Sequence, residues 1–131
     1  ENMETILVVD DEPMIRSMMD SALSAIGYTV VVAGSVREAI DLLESGAFRF
    51  GAIVTDYNLG DGSGRDIVNS VRASGLTAPT IVMSGSLRID RDESITQGFS
   101  AYFQKPFSCL ELGRKLNALL NKRSASTSVW L

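Results

Sequence analysis

Five short apolar runs, Ile6–Val9, Thr29–Ala33, Ala52–Thr55, Ile81–Met83 and Ala101–Gln104, alternate with amphipathic stretches along the chain. Continuous apolar runs of this length read as strands covered on both faces, and strands alternating with helices build an open parallel sheet with right-handed crossovers and helices on both sides. A closed eight-fold barrel needs far more than these 131 residues. A parallel sheet gathers the carboxyl ends of its strands at one rim, where ligands of such sheets sit. Asp10 and Asp11 follow the first run, Asp56 ends the third, Ser84 the fourth, and Lys105 follows the last. Three carboxylates, a hydroxyl and an ammonium are therefore expected to meet at that rim.

The stretches between the runs carry helix signals. Met14, Ile15, Met18, Met19, Ala22, Leu23 and Ile26 recur at helical spacing, in a helix that Pro13 opens and Gly27 closes. Ser35-Val36-Arg37-Glu38 is a capping-box pattern opening a second helix with Ala39, Ile40, Leu42 and Leu43 on its apolar side, ending near Gly46. Tyr57 to Gly64 reads as a glycine-rich loop, followed by a third helix with Ile67, Val68 and Val71 inward. Asp90 to Gln97 reads as a short, weak helix with Ile95 as its one strong apolar anchor. Ser108 to Glu111 repeats the capping-box pattern before a helix with Leu112, Leu116, Leu119 and Leu120 inward, and Asn121 onward reads as a polar, Ser-rich tail. One domain spans 1–131, with a core over about 5–122 and the tail over 123–131.

Several function classes are excluded. The chain has no histidine, so it holds no Ser-His-Asp or Cys-His site, no histidine-ligated zinc and no phosphohistidine of its own; histidine chemistry has to come from a partner. The net charge is -4 with the basic residues scattered, which argues against direct nucleic-acid binding. No apolar stretch approaches a membrane span and no leader pattern is present, and the single cysteine, Cys109, cannot make an internal disulfide; a cytoplasmic location is expected, with Cys109 a small residue of the last helix's first turn.

Asp10, Asp11 and Asp56 against Lys105 leave about two negative charges in a small space, which raises carboxylate pKa values unless a cation neutralises them. Magnesium suits an all-oxygen set beside phosphate, with manganese as an alternative. A phosphoryl group on the Asp56 carboxylate, acting as nucleophile, then has its oxygens within reach of the metal, Lys105 and the Ser84 hydroxyl.

These residues resemble, in order and roughly in spacing, the receiver domains of two-component response regulators, over about Thr5 to Lys122. The resemblance implies a flavodoxin-like α/β fold, a doubly wound five-stranded parallel sheet of order 2-1-3-4-5 with five helices on both faces. It implies that Asp56 takes a phosphoryl group from a histidine kinase or histidine phosphotransfer protein. It further implies that Asp10, Asp11, Asp56 and the backbone carbonyl of Asn58 hold magnesium, and that Ser84 and Lys105 sense the phosphate. Tyr102 matches the aromatic switch residue, Lys105-Pro106 a peptide bond that is usually cis, and Asn58 and Ser86 positions that tune hydrolysis. Such a domain assists its own phosphorylation and dephosphorylation without turning over an external substrate. Its output is a downstream protein, or a second copy, docked on the face made by the fourth helix, fifth strand and fifth helix. Glu4 to Pro13 and Met83-Ser84-Gly85 look like receivers attached to hybrid sensor histidine kinases, so the chain is either a stand-alone regulator or an excised receiver.

Two departures stand out. Gly60 occupies a position where many receivers have proline, implying a more mobile loop, and Ser84 replaces the commoner threonine, losing a methyl that stiffens the rotamer. Other classes fit less well. An FMN module wants a Ser/Thr/Gly loop after the first strand, where Asp10-Asp11-Glu12 repels phosphate. An aspartate-nucleophile phosphatase commonly has a second aspartate where Asn58 stands. A constitutive docking pseudo-receiver is the alternative that shares the whole pattern.

Overall fold

The computed structural model describes residues 4–85 and 89–128, with side chains described as far as Asn121. Five strands, β1 (Thr5–Val9), β2 (Thr29–Ala33), β3 (Phe50–Asp56), β4 (Thr80–Ser84) and β5 (Ala101–Gln104), form one parallel sheet of order β2-β1-β3-β4-β5. The helices between and after them are α1 (Pro13–Ala25), α2 (Val36–Ser45), α3 (Gly64–Ala73), α4 (Arg91–Gln97) and α5 (Cys109–Ser128). This is the flavodoxin-like order expected above. Strand order reverses between β1 and β3, so the ends of these two strands flank the crevice where such sheets bind ligands.

Alternate residues of each strand feed opposite faces, as a pleated strand requires. Ile6, Val8, Ala52, Val54, Ile81 and Met83 pack on Met19 and Leu23 of α1 and on Leu112, Leu116 and Leu120 of α5. Leu7, Val9 and Ile53 point the other way, onto Val36 and Ala39 of α2 and Ile67 and Val71 of α3. A third cluster, Tyr57, Val68, Val82, Ile89 and Phe99 with Tyr102 against it, fills the α3–α4 side. No described helix is long and apolar enough to cross a membrane.

Several elements differ from the sequence reading. In α1 only Met19 and Leu23 are buried, while Met14 and Met18, and Ile26 just past the helix end, are exposed at 82%, 50% and 48%. Met14 and Met18 lie one residue, about 100° of helix turn, off the Ile15–Met19–Leu23 row that meets the sheet. In α4, Ile95 is 67% exposed and anchors nothing in the core. The helix is held instead by residues flanking it, Ile89 and Phe99, and by buried Ser94, whose hydroxyl donates to the Arg91 carbonyl. The expected capping box at α2 forms only in part: Ser35 Oγ accepts from Glu38 N at 3.0 Å, but Glu38 Oε1 accepts from Gly34 N rather than from Ser35. A complete box stands at α3, where Ser63 Oγ accepts at the helix start and Asp66 Oδ2 accepts from Ser63 N at 3.0 Å. At α5, Ser108 Oγ accepts from Leu110 N and Glu111 N. That helix continues to Ser128, where a polar tail was expected from Asn121; Lys122, Arg123 and Ala125 are good helix formers and no glycine or proline interrupts them.

Candidate functional site at the strand ends

Asp10 is the first residue beyond β1, and the turn into α1 is locked around it. Asp10 N donates to Ala33 O of β2 at 3.1 Å, Glu12 N donates to Asp10 Oδ1 at 2.9 Å, and the Arg16 guanidinium reaches back from α1 to the Asp10 carbonyl at 2.6 Å. The Asp10 side chain is fully buried, whereas that of Asp11 faces solvent. Asp56 closes β3 with its side chain 11% exposed. Carboxylate oxygens of Asp10, Asp11 and Asp56 lie within 4.8 Å of one another.

Lys105, the residue after β5, is drawn in by a backbone bond from its N–H to Ser84 O at 2.8 Å. Its ammonium then bridges two of the acids, 3.3 Å from Asp10 Oδ2 and 3.1 Å from Asp56 Oδ2. Burial works against the ammonium, but the charges of Asp56 and Asp10 and the hydrogen bonds to both outweigh it, and the Lys105 pKa is raised. Burial also pushes the Asp56 carboxyl up; the charge and hydrogen bond of Lys105 only partly offset this, and the charge of Asp10 adds to it. The site thus carries an excess of buried negative charge around one lysine.

Every donor in this cluster is an oxygen, and one wall is open to water at Asp11, a set that fits a hard divalent cation keeping several waters. Asn58, two residues past Asp56, sends its N–H to Asp56 Oδ1 at 3.4 Å, which holds the Asn58 peptide beside the same carboxylate.

The remaining expected residues are placed as follows. Ser84 is fully buried at the end of β4, one residue beyond Met83, the partner of Asp56 in the sheet register. Tyr102 is half-buried, and its hydroxyl donates to Ile89 O at 3.3 Å, so the ring lies along the segment that leads into α4. The Lys105-Pro106 peptide is cis. Ser86 lies outside the described residues.

Two contributors were not legible in the sequence. Arg16 fixes the Asp10 turn, and Asp61 in the loop after Asp56 accepts from Val36 N at 2.9 Å and Arg37 N at 3.0 Å. Those two bonds hold the Asp61 carboxyl below its ordinary value. Asp61 is 25 residues from Val36 in sequence, and no local pattern announces such a contact.

The response regulator receiver domain family matches residues 6–117. Transcriptional regulatory protein TrcR of Mycobacterium tuberculosis is 34% identical over 122 residues, covering 91% of this chain and 46% of that protein. KDP operon transcriptional regulatory protein KdpE of Escherichia coli is 32% identical over 127 residues, covering 96% of this chain and 55% of that protein. The chain thus spans about half the length of the curated relatives it matches. The solved receiver domain of Francisella response regulator 1452 superposes with a TM-score of 0.83 at 25% identity, covering 92% of this chain and 98% of that one.

Proposed function

Because the chain belongs to the response regulator receiver domains of two-component signalling, we propose that Asp56 accepts a phosphoryl group from a partner's phosphohistidine and that this switches a protein-docking face. The observation that carries the reading is the single ammonium of Lys105 held between two buried carboxylates, next to an exposed third.

An Asp56 carboxylate oxygen forms the new bond to phosphorus as the phosphorus–nitrogen bond of the donor breaks, and the imidazole leaves with the electron pair. Asp10, Asp11, Asp56 and the Asn58 carbonyl are the groups that would hold magnesium, or manganese in its place, whose charge would offset that of the phosphoryl oxygens. Lys105 stays charged throughout, pairs with a phosphoryl oxygen, and keeps its link to Asp10. Asp10, tied down by Glu12 N and the Arg16 guanidinium, gives this arrangement its fixed floor. Asn58 and Ser86 match the family's positions that tune hydrolysis, and the lifetime of the phosphorylated form depends on them. The domain assists its own phosphorylation and dephosphorylation and turns over no external substrate.

The donor approaches over α1. Half-exposed Met18 lines a groove of about 330 Å³ with Ile15, Met19, Lys105, Pro106 and Phe107, an apolar landing that reaches the lysine of the site. This suits the helices of a histidine kinase or phosphotransfer protein. The output face is α4, β5 and α5, where a groove of about 450 Å³ is lined by Arg91, Ile95, Tyr102, Phe107 and Lys115. Movement of the Ser84 hydroxyl toward phosphate, followed by Tyr102 leaving Ile89 O, would reshape that groove for a downstream protein or a second copy. TrcR and KdpE are named as transcriptional regulatory proteins. The expectation of no direct nucleic-acid contact concerns these residues alone.

A beryllofluoride titration followed by backbone amide shifts tests the reading. Saturable shifts are expected only with magnesium and Asp56 present, and they should extend through residues 89–105 and shrink in Ser84→Ala. Shifts confined to the strand ends would mean that the site binds without switching the face. The absence of any response would favour the constitutive docking module.

A further inference from the structure

The loop from Tyr57 to Ser63 carries the Asn58 carbonyl and lies directly after Asp56, yet its sequence is ill suited to staying in place. Gly60 and Gly62 bring the conformational freedom of glycine, and neither has a positive φ that would demand it. At Gly60 a Cβ would meet nothing nearer than Asp11 Oδ2 at 3.9 Å, so crowding does not demand glycine there either. A loop of this composition beside a metal site needs an external hold.

That hold is the first turn of α2. Leu59 is buried in the cluster containing Val36 and Ala39, and Gly62 approaches so closely that a Cβ there would lie 3.1 Å from Val36 Cγ2. Asp61, between them, places one carboxylate oxygen on Val36 N and the other on Arg37 N. Together with Ser35 Oγ on Glu38 N, it satisfies the first three N–H groups of α2 that have no partner within the helix. At its base the loop is closed by Gly64 N donating to Tyr57 O at 2.8 Å. The hairpin bonds Asn58–Leu59 to Gly62–Ser63, with Asp61 in its turn, so a fixed Asp61 fixes the strand that bears Asn58.

We propose that Asp61 is a positioning residue for the metal and phosphoryl site, pinning the Asn58-bearing hairpin to α2 so that the Asn58 carbonyl and Asp56 keep their setting against Asp10 and Asp11. The inference rests on the magnesium reading given above. It assigns to one exposed carboxylate the rigidity that Gly60 withholds from this loop.

Magnesium affinity of the full chain, measured by calorimetric titration with magnesium chloride alone and by the amide shifts of Asp11 and Asn58, provides the test. Melting temperatures and the amide exchange of Val36 and Arg37 are recorded in parallel. Asp61→Ala should weaken magnesium binding about tenfold, the usual scale for a residue that supports a metal ligand without touching the ion. Asp61→Asn, which keeps one acceptor, should fall between Asp61→Ala and the parent. Ser35→Ala, which weakens the same helix end without touching the loop, should lower the melting temperature and leave magnesium affinity at the parental value. Parental affinity in Asp61→Ala overturns the proposal, as does an Asn variant as weak as the Ala variant, which would make the effect one of charge. Loss of affinity in Ser35→Ala overturns it too, by making helix stability the cause. If the parent itself binds no magnesium, the reading of the site fails before the question of Asp61 arises.

Discussion

Replacing Lys105 by methionine keeps a stem of similar length and removes the charge that two acids share. Its ammonium lies 3.3 Å from Asp10 Oδ2 and 3.1 Å from Asp56 Oδ2. At an effective dielectric constant of about 20, each contact is worth roughly 5 kcal/mol before desolvation is subtracted. Removing one partner of a buried pair costs about 3–5 kcal/mol, because an uncompensated charge stays behind. The lysine side chain is 23% exposed, and Asp56, its pKa already raised, can take up a proton. We therefore expect Lys105→Met to lose about 2–3 kcal/mol at neutral pH without divalent ions, or roughly 10 °C in melting temperature for a domain this size. Saturating magnesium should return part of the loss. In an Asp56→Asn background the same substitution should cost clearly less, since one of the two stranded acids is gone. Urea and thermal unfolding of the four proteins of this cycle measure it. A loss below about 0.5 kcal/mol, or an equal loss in both backgrounds, would show that Lys105 contributes packing and not charge balance.

Asp11→Ala should weaken magnesium binding while leaving metal-free melts unchanged or higher, because an exposed acid contributes charge there; a large loss of stability would make Asp11 a structural cap. Burial raises the Asp56 pKa above its ordinary 3.8, so the folded protein binds more protons than the unfolded chain in that window and metal-free stability falls as pH rises through it. Asp56→Asn cannot titrate, so its stability advantage over the parent should grow with pH across the window and level off above it; a flat difference would refute the burial argument. Leu116→Ala, at a fully buried position, should cost about 3 kcal/mol in urea unfolding, whereas Ile95→Lys, on the exposed side of α4, should stay within about 0.5 kcal/mol.

What was legible in the sequence followed from periodicity and strand ends. Ile6 to Val9, Ala52 to Thr55 and Ile81 to Met83 lack alternation because both faces are covered, and this places Asp10, Asp56 and Ser84 at one rim without further information. Residues whose role depends on which helix meets which surface were harder to read. Periodicity puts Met14 and Met18 on the apolar stripe of α1, but a stripe wider than the contact leaves its margin in water, and Ile95, the one strong apolar residue within α4, faces solvent. The anchors of α4 were missed because Ile89 and Phe99 lie outside the helix they fix. Arg16 and Asp61 act through backbone groups, which carry no residue identity, and Asp61 does so across 25 positions. The small hairpin of Asn58–Leu59 with Gly62–Ser63 read only as loop because its pairing is two residues long.

The central claim is that Asp56 is the phosphoryl acceptor and needs a divalent cation. Intact-mass measurement after incubation with acetyl phosphate tests it most directly. The expected result is a single phosphoryl addition in the presence of magnesium, absent when the metal is chelated and absent in Asp56→Asn. A label that forms without a divalent ion, or that survives the substitution of Asp56, would contradict the account.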